Sequence, residues 1–210
     1  MIFSSREEAG RKLGLHLAEL EVRPDVVLGL PRGGVVVAAQ VARILKRPLG
    51  VIVVRKVGHP RHREFAVGAL SEDGIVLLDH EAMKETDVTR AELEEVIADE
   101  TRRLSDYQAK FHRAEPPALS GKTVLIVDDG LATGATAEAA IMSAKSRKAL
   151  KVLVAVPVAS PGAVDRLSAV SDGVIALSVD PDFAAVGQYY ALFPQTDDHE
   201  VLALLDAQAT

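Results

Sequence analysis

The 210 residues include no cysteine, so neither a disulfide framework nor a thiolate zinc site can form. That absence fits a reducing compartment, and a cytoplasmic protein is the expectation. No apolar run approaches the roughly 20 residues needed to span a bilayer. The opening MIFSSREEAGRK lacks the basic start and long apolar stretch of a signal peptide. An excess of positive charge is also missing. A formal charge of -6 and a pI near 5.5 argue against a nucleic-acid surface, which needs concentrated Lys and Arg. Aromatics are scarce, yet Phe183, Tyr189, Tyr190 and Phe193 crowd one C-terminal stretch.

What is present is apolar residue in quantity, 48% of the chain, enough to bury the core of a single domain. Val26–Leu30, Leu49–Val54, Thr123–Val127, Lys151–Val156 and Val174–Leu177 are continuous apolar runs of strand length without in-out alternation. Both of their faces are therefore covered. Helical patterns lie between them, near Val35–Leu45, Thr136–Lys148 and Ala163–Val170. This alternation predicts an α/β fold, a doubly wound parallel sheet with helices on both faces. Ser5–Glu8 reads as a capping box opening a helix to about Leu20. Leu70–Leu78, with the turn Ser71-Glu72-Asp73-Gly74, reads as a hairpin off the main alternation. Asp87–Phe111 reads as one long helix whose stripe Leu93, Ile97, Leu104, Tyr107, Phe111 serves as an interface or packs on the core. Glu115-Pro116-Pro117 ends it.

Three strand ends carry chemistry. The strand Thr123–Val127 runs into Asp128 and Asp129, then the turn Gly130-Leu131-Ala132-Thr133-Gly134, then a helix entered through Ala135 and Thr136. Ligands of open parallel sheets bind beyond the carboxyl ends of the strands. A Gly- and Thr-containing turn at a helix N-terminus offers free N–H groups, hydroxyls and a favourable dipole to a phosphate. Two carboxylates just before it suit a ligand that also presents hydroxyls, as a ribose does. Read on their own, the acids are equally ordinary helix N-terminal acids. The second strand end is Gly29-Leu30-Pro31-Arg32-Gly33-Gly34, where glycines permit close backbone approach and Arg32 supplies charge. The third is Arg55-Lys56, followed by the polar, basic segment Gly58–Glu64.

The string VLIVDDGLATGAT, Val124–Thr136, resembles the 5-phosphoribosyl 1-diphosphate (PRPP) motif of type I phosphoribosyltransferases. The resemblance implies that Asp128 and Asp129 hold the ribose hydroxyls, while Ala132 to Thr136 cradle the 5′-phosphate, with Gly130 and Leu131 also at the ligand. Arg32-Gly33-Gly34 would then be the diphosphate loop, and Arg55 and Lys56 would assist it. Gly58–Glu64 would be a mobile lid, with Arg61 or Arg63 touching diphosphate. Phe183 would be a platform for a ring, unless its cluster is a satellite core. By the same likeness Arg32, Lys56, Asp128 and Asp129 carry catalysis. Mg²⁺ is the expected cofactor, held by ligand oxygens and water with no all-protein metal site, and a homodimer is expected. One domain, 1–210, is expected, with a core of about 22–180, a hood from 1–20 and 181–210, and a helical insertion at 87–113. Ala132 departs from the hypoxanthine–guanine enzymes, which have an acid there. The implied activity is transfer of a phosphoribosyl group from PRPP to an acceptor nitrogen; the alternative is a PRPP- or nucleotide-sensing regulator.

Overall fold

The computed structural model describes residues 1–111 and 117–207. Five parallel strands make the main sheet: β1 (Val26–Gly29), β2 (Leu49–Val51), β6 (Thr123–Val127), β7 (Lys151–Ala159) and β8 (Gly173–Val179), in the order β2-β1-β6-β7-β8. A second, antiparallel sheet holds β3 (Val54–His59), β4 (His62–Ser71) and β5 (Val76–Leu78). The helices are α1 (Arg6–Glu19), α2 (Gly33–Leu45), α3 (His80–Glu85), α4 (Arg90–Phe111), α5 (Ala135–Ser146), α6 (Pro161–Ser168) and α7 (Asp198–Asp206).

The strand pleat sends alternate side chains to opposite layers. Val26, Leu28, Val124, Ile126, Val152 and Val154 pack under Ala137, Ala140 and Ile141 of α5 and Leu167 of α6. Val27, Leu125, Val127 and Ala155 pack under Leu13 and Leu17 of α1 and Val37 and Val41 of α2. Both faces are covered, as the unbroken apolar runs require, and the doubly wound sheet is borne out. Helix α1, expected in a hood, instead covers the sheet beside α2. The residues before it and Arg6 in its first turn reach the C-terminal segment, where the Phe3 N–H donates to Tyr189 O at 2.8 Å.

Two expectations are corrected. The run Leu49–Val54 is not one strand: β2 ends at Val51, and the chain crosses to the second sheet, where Val53 N–H donates to the Glu72 carboxylate at 3.1 Å. An apolar run carries no mark of such a crossing, because both sheets want the same residues. The helix read as Asp87–Phe111 begins at Arg90, after the separate α3. Asp87 has φ 51°, incompatible with helix. Thr89 instead caps α4, with its N–H and hydroxyl donating to Glu92 at 2.9 Å each. That is a Thr-x-x-Glu capping box. The stop at Glu115-Pro116 lies outside the described residues.

The segment Gly58–Glu64, expected as a mobile lid, contains the tip of the β3–β4 hairpin, with His59 paired to His62 across a two-residue turn. The two rings stack at 5.7 Å, and His59 Nδ1 accepts from Arg61 N–H. The second sheet packs against α4 and α7 through Val57, Val67, Leu93, Val96, Leu104 and Val201. The α4 stripe is therefore largely core. No helix among the described residues is long and apolar enough to cross a membrane.

Candidate active site

Strand order β2-β1-β6 reverses direction of progress at β1, so a crevice opens between the loops that follow β1 and β6. Val127 ends β6 and leads directly into the acid pair. Leu131 then makes an isolated parallel bridge to Ala159: its N–H donates to Val158 O, and its carbonyl accepts from Ser160 N–H, both at 2.9 Å. The Ser160 hydroxyl donates to Ala132 O at 2.6 Å. These bonds hold the turn against the end of β7. Gly134, at φ 75°, reverses the backbone into α5, a conformation costly for any side-chain-bearing residue. The first N–H groups of α5 have no acceptor within the helix. Among the described residues only the Ala135 N–H is partly used, 3.4 Å from Thr133 Oγ1.

A cleft of ≈ 260 Å³ lies over this turn, lined by Leu30, Pro31, Val54, Lys56, Val186, Thr136 and every residue from Asp128 to Gly134. Of the motif residues expected at the phosphate, Ala135 alone is not in its lining. Burial raises the carboxyl of Asp128 well above the ordinary carboxylate range, and the neighbouring Asp129 raises it further. Asp129 is raised too, again by burial, but Arg6 opposes the shift. Arg6 Nε donates to Asp129 Oδ2 at 2.7 Å, and Nη1 donates to Pro194 O at 2.7 Å. The guanidinium lies 3.7 Å over the Phe193 ring. From the C-terminal segment the Tyr190 hydroxyl donates to Asp129 O at 2.6 Å.

The loop after β1 packs against the acid pair. Arg32, Gly33 and Gly34 line neither the acid cleft nor the larger one beside it; Leu30 and Pro31 represent the loop at the acid cleft. The Pro31–Arg32 peptide is cis. A Cβ at Gly33 would stand 2.2 Å from Asp129 Oδ2, and one at Gly34 would stand 2.6 Å from Asp128 Oδ1. The glycines are thus required by the acid pair itself. The Arg32 guanidinium is turned to Asp198 at the start of α7, at 3.8 Å.

Beside the acid cleft is a second of ≈ 430 Å³, lined by Pro31, Val54, Arg55, Lys56, Gly58, Arg63, Glu100, Arg103 and Thr136. Lys56 is exposed between the two clefts, and it makes no ion pair among the described residues. Arg55 is spoken for: its Nε donates to Glu100 at 2.8 Å and its guanidinium lies 5.2 Å from the Tyr107 ring. Of the two hairpin arginines, Arg63 lines this cleft, while Arg61 leans 3.7 Å from Glu92 outside it. Phe183 lines neither cleft. Its ring, half-buried, stacks on Tyr189 at 5.2 Å against a small cluster that includes Phe3 and Tyr190. Val186, packed against Gly130, takes the place over the acids.

Sequence reading missed Arg6, Tyr190, Val186, Glu100 and Arg103. Arg6, Glu100 and Arg103 carry no local mark, since each reaches the site from an element distant in the chain, whereas Tyr190 belongs to the aromatic crowding of the C-terminal stretch. No group of three or more His, Asp or Glu among the described residues is placed to hold a metal by itself.

A model of the phosphoribosyl transferase domain matches residues 7–192. The chain belongs to that family. A Mycobacterium tuberculosis H37Rv protein, provisionally named a phosphoribosyl transferase, is 43% identical over 206 residues. The match covers 98% of this chain and 46% of that protein, so the chain spans about half the length of the curated relatives it matches. The crystal structure of TT1426 from Thermus thermophilus is similar over 99% of both chains, with 45% identity and a TM-score of 0.82. A hypothetical protein from Neisseria gonorrhoeae, solved with bound ppGpp, covers 99% of this chain and 94% of its own, at 14% identity and a TM-score of 0.54. It shares the fold alone. The resemblance to type I phosphoribosyltransferases drawn from Val124–Thr136 is borne out.

Proposed function

We propose that this phosphoribosyl transferase family member moves a 5-phosphoribosyl group from PRPP to an acceptor nitrogen. The bond from ribosyl C1 to the diphosphate oxygen breaks, and its electron pair leaves with the diphosphate. The acceptor nitrogen's lone pair forms the new bond at C1, and its proton passes to solvent. One observation carries the reading: a half-buried acid pair shares one cleft with an N–H-rich turn and helix N-terminus.

In this reading the α5 N–H groups and the hydroxyls of Thr133 and Thr136 take the 5′-phosphate, as an anion at a helix N-terminus is taken. Asp128 and Asp129 accept from the ribose hydroxyls and favour the positive charge that develops on the ring. Arg6, by sharing Asp129, leaves Asp128 as the less compensated carboxylate. Lys56 faces the diphosphate. Arg32, tied to Asp198, contributes through its loop backbone. Phe183, stacked on Tyr189, supports the C-terminal segment. Two carboxylates at a cleft wall with room for water and phosphate oxygens fit Mg²⁺, which demands hard oxygen ligands and keeps several waters. Asp128 and Asp129 would hold it, chiefly through water and ligand oxygens. When bound, Mg²⁺ neutralises charge on the departing diphosphate.

The test is incubation with PRPP, Mg²⁺ and a panel of nitrogenous bases, with diphosphate release measured. Release that depends on at least one acceptor is expected. Tight PRPP binding without acceptor-dependent release would favour a sensor. The double variant Asp128→Asn, Asp129→Asn is expected to lose PRPP binding; unchanged affinity would overturn the ligand assignment itself.

A further inference from the structure

The ≈ 430 Å³ cleft draws part of its wall from α4, a helix that by sequence looked like an insertion. Four cations, Arg55, Lys56, Arg63 and Arg103, line it against a single carboxylate, Glu100. Glu100 is 6% exposed and fully committed: one oxygen accepts from Arg55 Nε at 2.8 Å and the other from Arg103 Nη1 at 2.9 Å. One carboxylate does not balance the four cations that face this opening, so an anion of several charges is the complementary occupant.

The cations are not equivalent. Arg55 is braced between Glu100 and the Tyr107 ring. Arg63 has a loose partner, Asp99, at 3.7 Å. Arg103 spends one N–H on Glu100, and its side chain stays 60% exposed, leaving most of a five-donor fork available. Pro31, Val54, Lys56 and Thr136 line both this cleft and the acid cleft, so the two are continuous.

We infer that α4 completes the anion subsite, with Arg103 contacting the diphosphate end of the ligand and Glu100 holding Arg103 and Arg55 on its wall. This rests on the transferase reading and adds to it a binding residue supplied by the inserted helix.

The experiment measures calorimetric affinity for inorganic diphosphate, PRPP and ribose 5-phosphate in the wild type, Arg103→Ala and Arg102→Ala. Arg102 pairs with Asp99 and does not line the cleft. Loss of a charge-assisted hydrogen bond predicts that Arg103→Ala weakens diphosphate and PRPP binding by about tenfold. Ribose 5-phosphate affinity should stay as it was, and Arg102→Ala should leave all three unchanged. If Arg103→Ala does not fold, Arg103→Gln keeps the stem and one bond to Glu100 and answers the same question. Diphosphate affinity unchanged in the Arg103 variant, or lowered equally by Arg102→Ala, overturns the inference. A wild type that binds ribose 5-phosphate but not diphosphate defeats this inference alone. One that binds none of the three defeats the transferase reading with it.

Discussion

Two carboxylates at the end of a buried strand impose a cost, and Arg6 forms an ion pair with only one of them. Its side chain is 9% exposed and that of Asp129 is 15%, so their 2.7 Å bond lies largely out of water. Removing one partner of such a pair leaves the other uncompensated and typically costs about 3–5 kcal/mol. Arg6→Ala is therefore expected to lower the unfolding free energy by about 3 kcal/mol, with part of the loss from the Phe193 contact. Urea titration reads this directly, and a change below about 1 kcal/mol would mean that water reaches Asp129. The acid pair itself was legible in the sequence, because its spacing to Thr133-Gly134-Ala135-Thr136 is local. Arg6 was not, lying 123 residues away on a helix whose capping box announced only where it starts. The glycines were legible as a site but not in their role. Adjacent glycines announce close approach, while what approaches Gly33 and Gly34, here Asp129 and Asp128, depends on the tertiary fold.

At the scale of elements, α4 and the β3–β4 hairpin are joined by three layers of charge. Arg61–Glu92 and Arg63–Asp99 are both 3.7 Å apart and exposed, whereas Arg55–Glu100 is 2.8 Å with a buried carboxylate. Exposed pairs are worth little, so Glu92→Ala should stay within about 1 kcal/mol of wild type; it also removes half of the Thr89 capping box. Glu100→Ala leaves the half-buried Arg55 without its partner, while Arg103 stays solvated, and should cost about 2 kcal/mol. Hydrogen exchange should show the loss concentrated in β3, β4 and α4, leaving the amides of β6 and β7 protected to a similar degree in both variants. Equal effects of the two substitutions would refute this ranking. The main sheet was readable from its apolar runs because each strand is covered on both faces and bounded by turn residues. The second sheet was readable only at Leu70–Leu78. The Leu49–Val54 run hides a change of sheet, and the polar residues of Gly58–Glu64 hide a hairpin whose pairing across His59 and His62 is backbone work. The Thr89–Glu92 box was present in the sequence, and it would have placed the start of α4 correctly.

For the whole molecule, the acid pair makes stability and ligand binding respond to pH in opposite senses. Burial raises Asp128 in the folded protein, so between the ordinary carboxylate value and that raised value the folded state binds more protons than the unfolded one. Stability contributed by this site is therefore highest at the acid end of that window and falls as pH rises. Groups held low in the fold act the other way: Glu8, lowered to about 2 by Lys12 and Ser4, and Asp79, lowered by the Ala82 N–H, lose their contribution only in more acid solution. A scan from about pH 5 to pH 8 thus isolates the raised pair, and subtracting Asp128→Asn cancels the histidines and everything else common to both proteins. Without ligand, Asp128→Asn is expected to be more stable than wild type at about pH 8, because burial penalises the ionised carboxylate there. The gap should narrow toward the acid end. A ligand whose hydroxyls donate to Asp128 needs the carboxylate ionised, so the rise in wild-type Tm caused by saturating PRPP should grow across the same interval and be absent in Asp128→Asn. Calorimetric melts with and without PRPP supply all four curves. A ligand-induced rise in wild-type Tm that is flat in pH would mean that the hydroxyls are bound elsewhere. An Asp128→Asn protein less stable than wild type at the alkaline end would mean that the buried carboxylate is compensated in a way its neighbours Asp129, Lys56 and Arg6 do not account for.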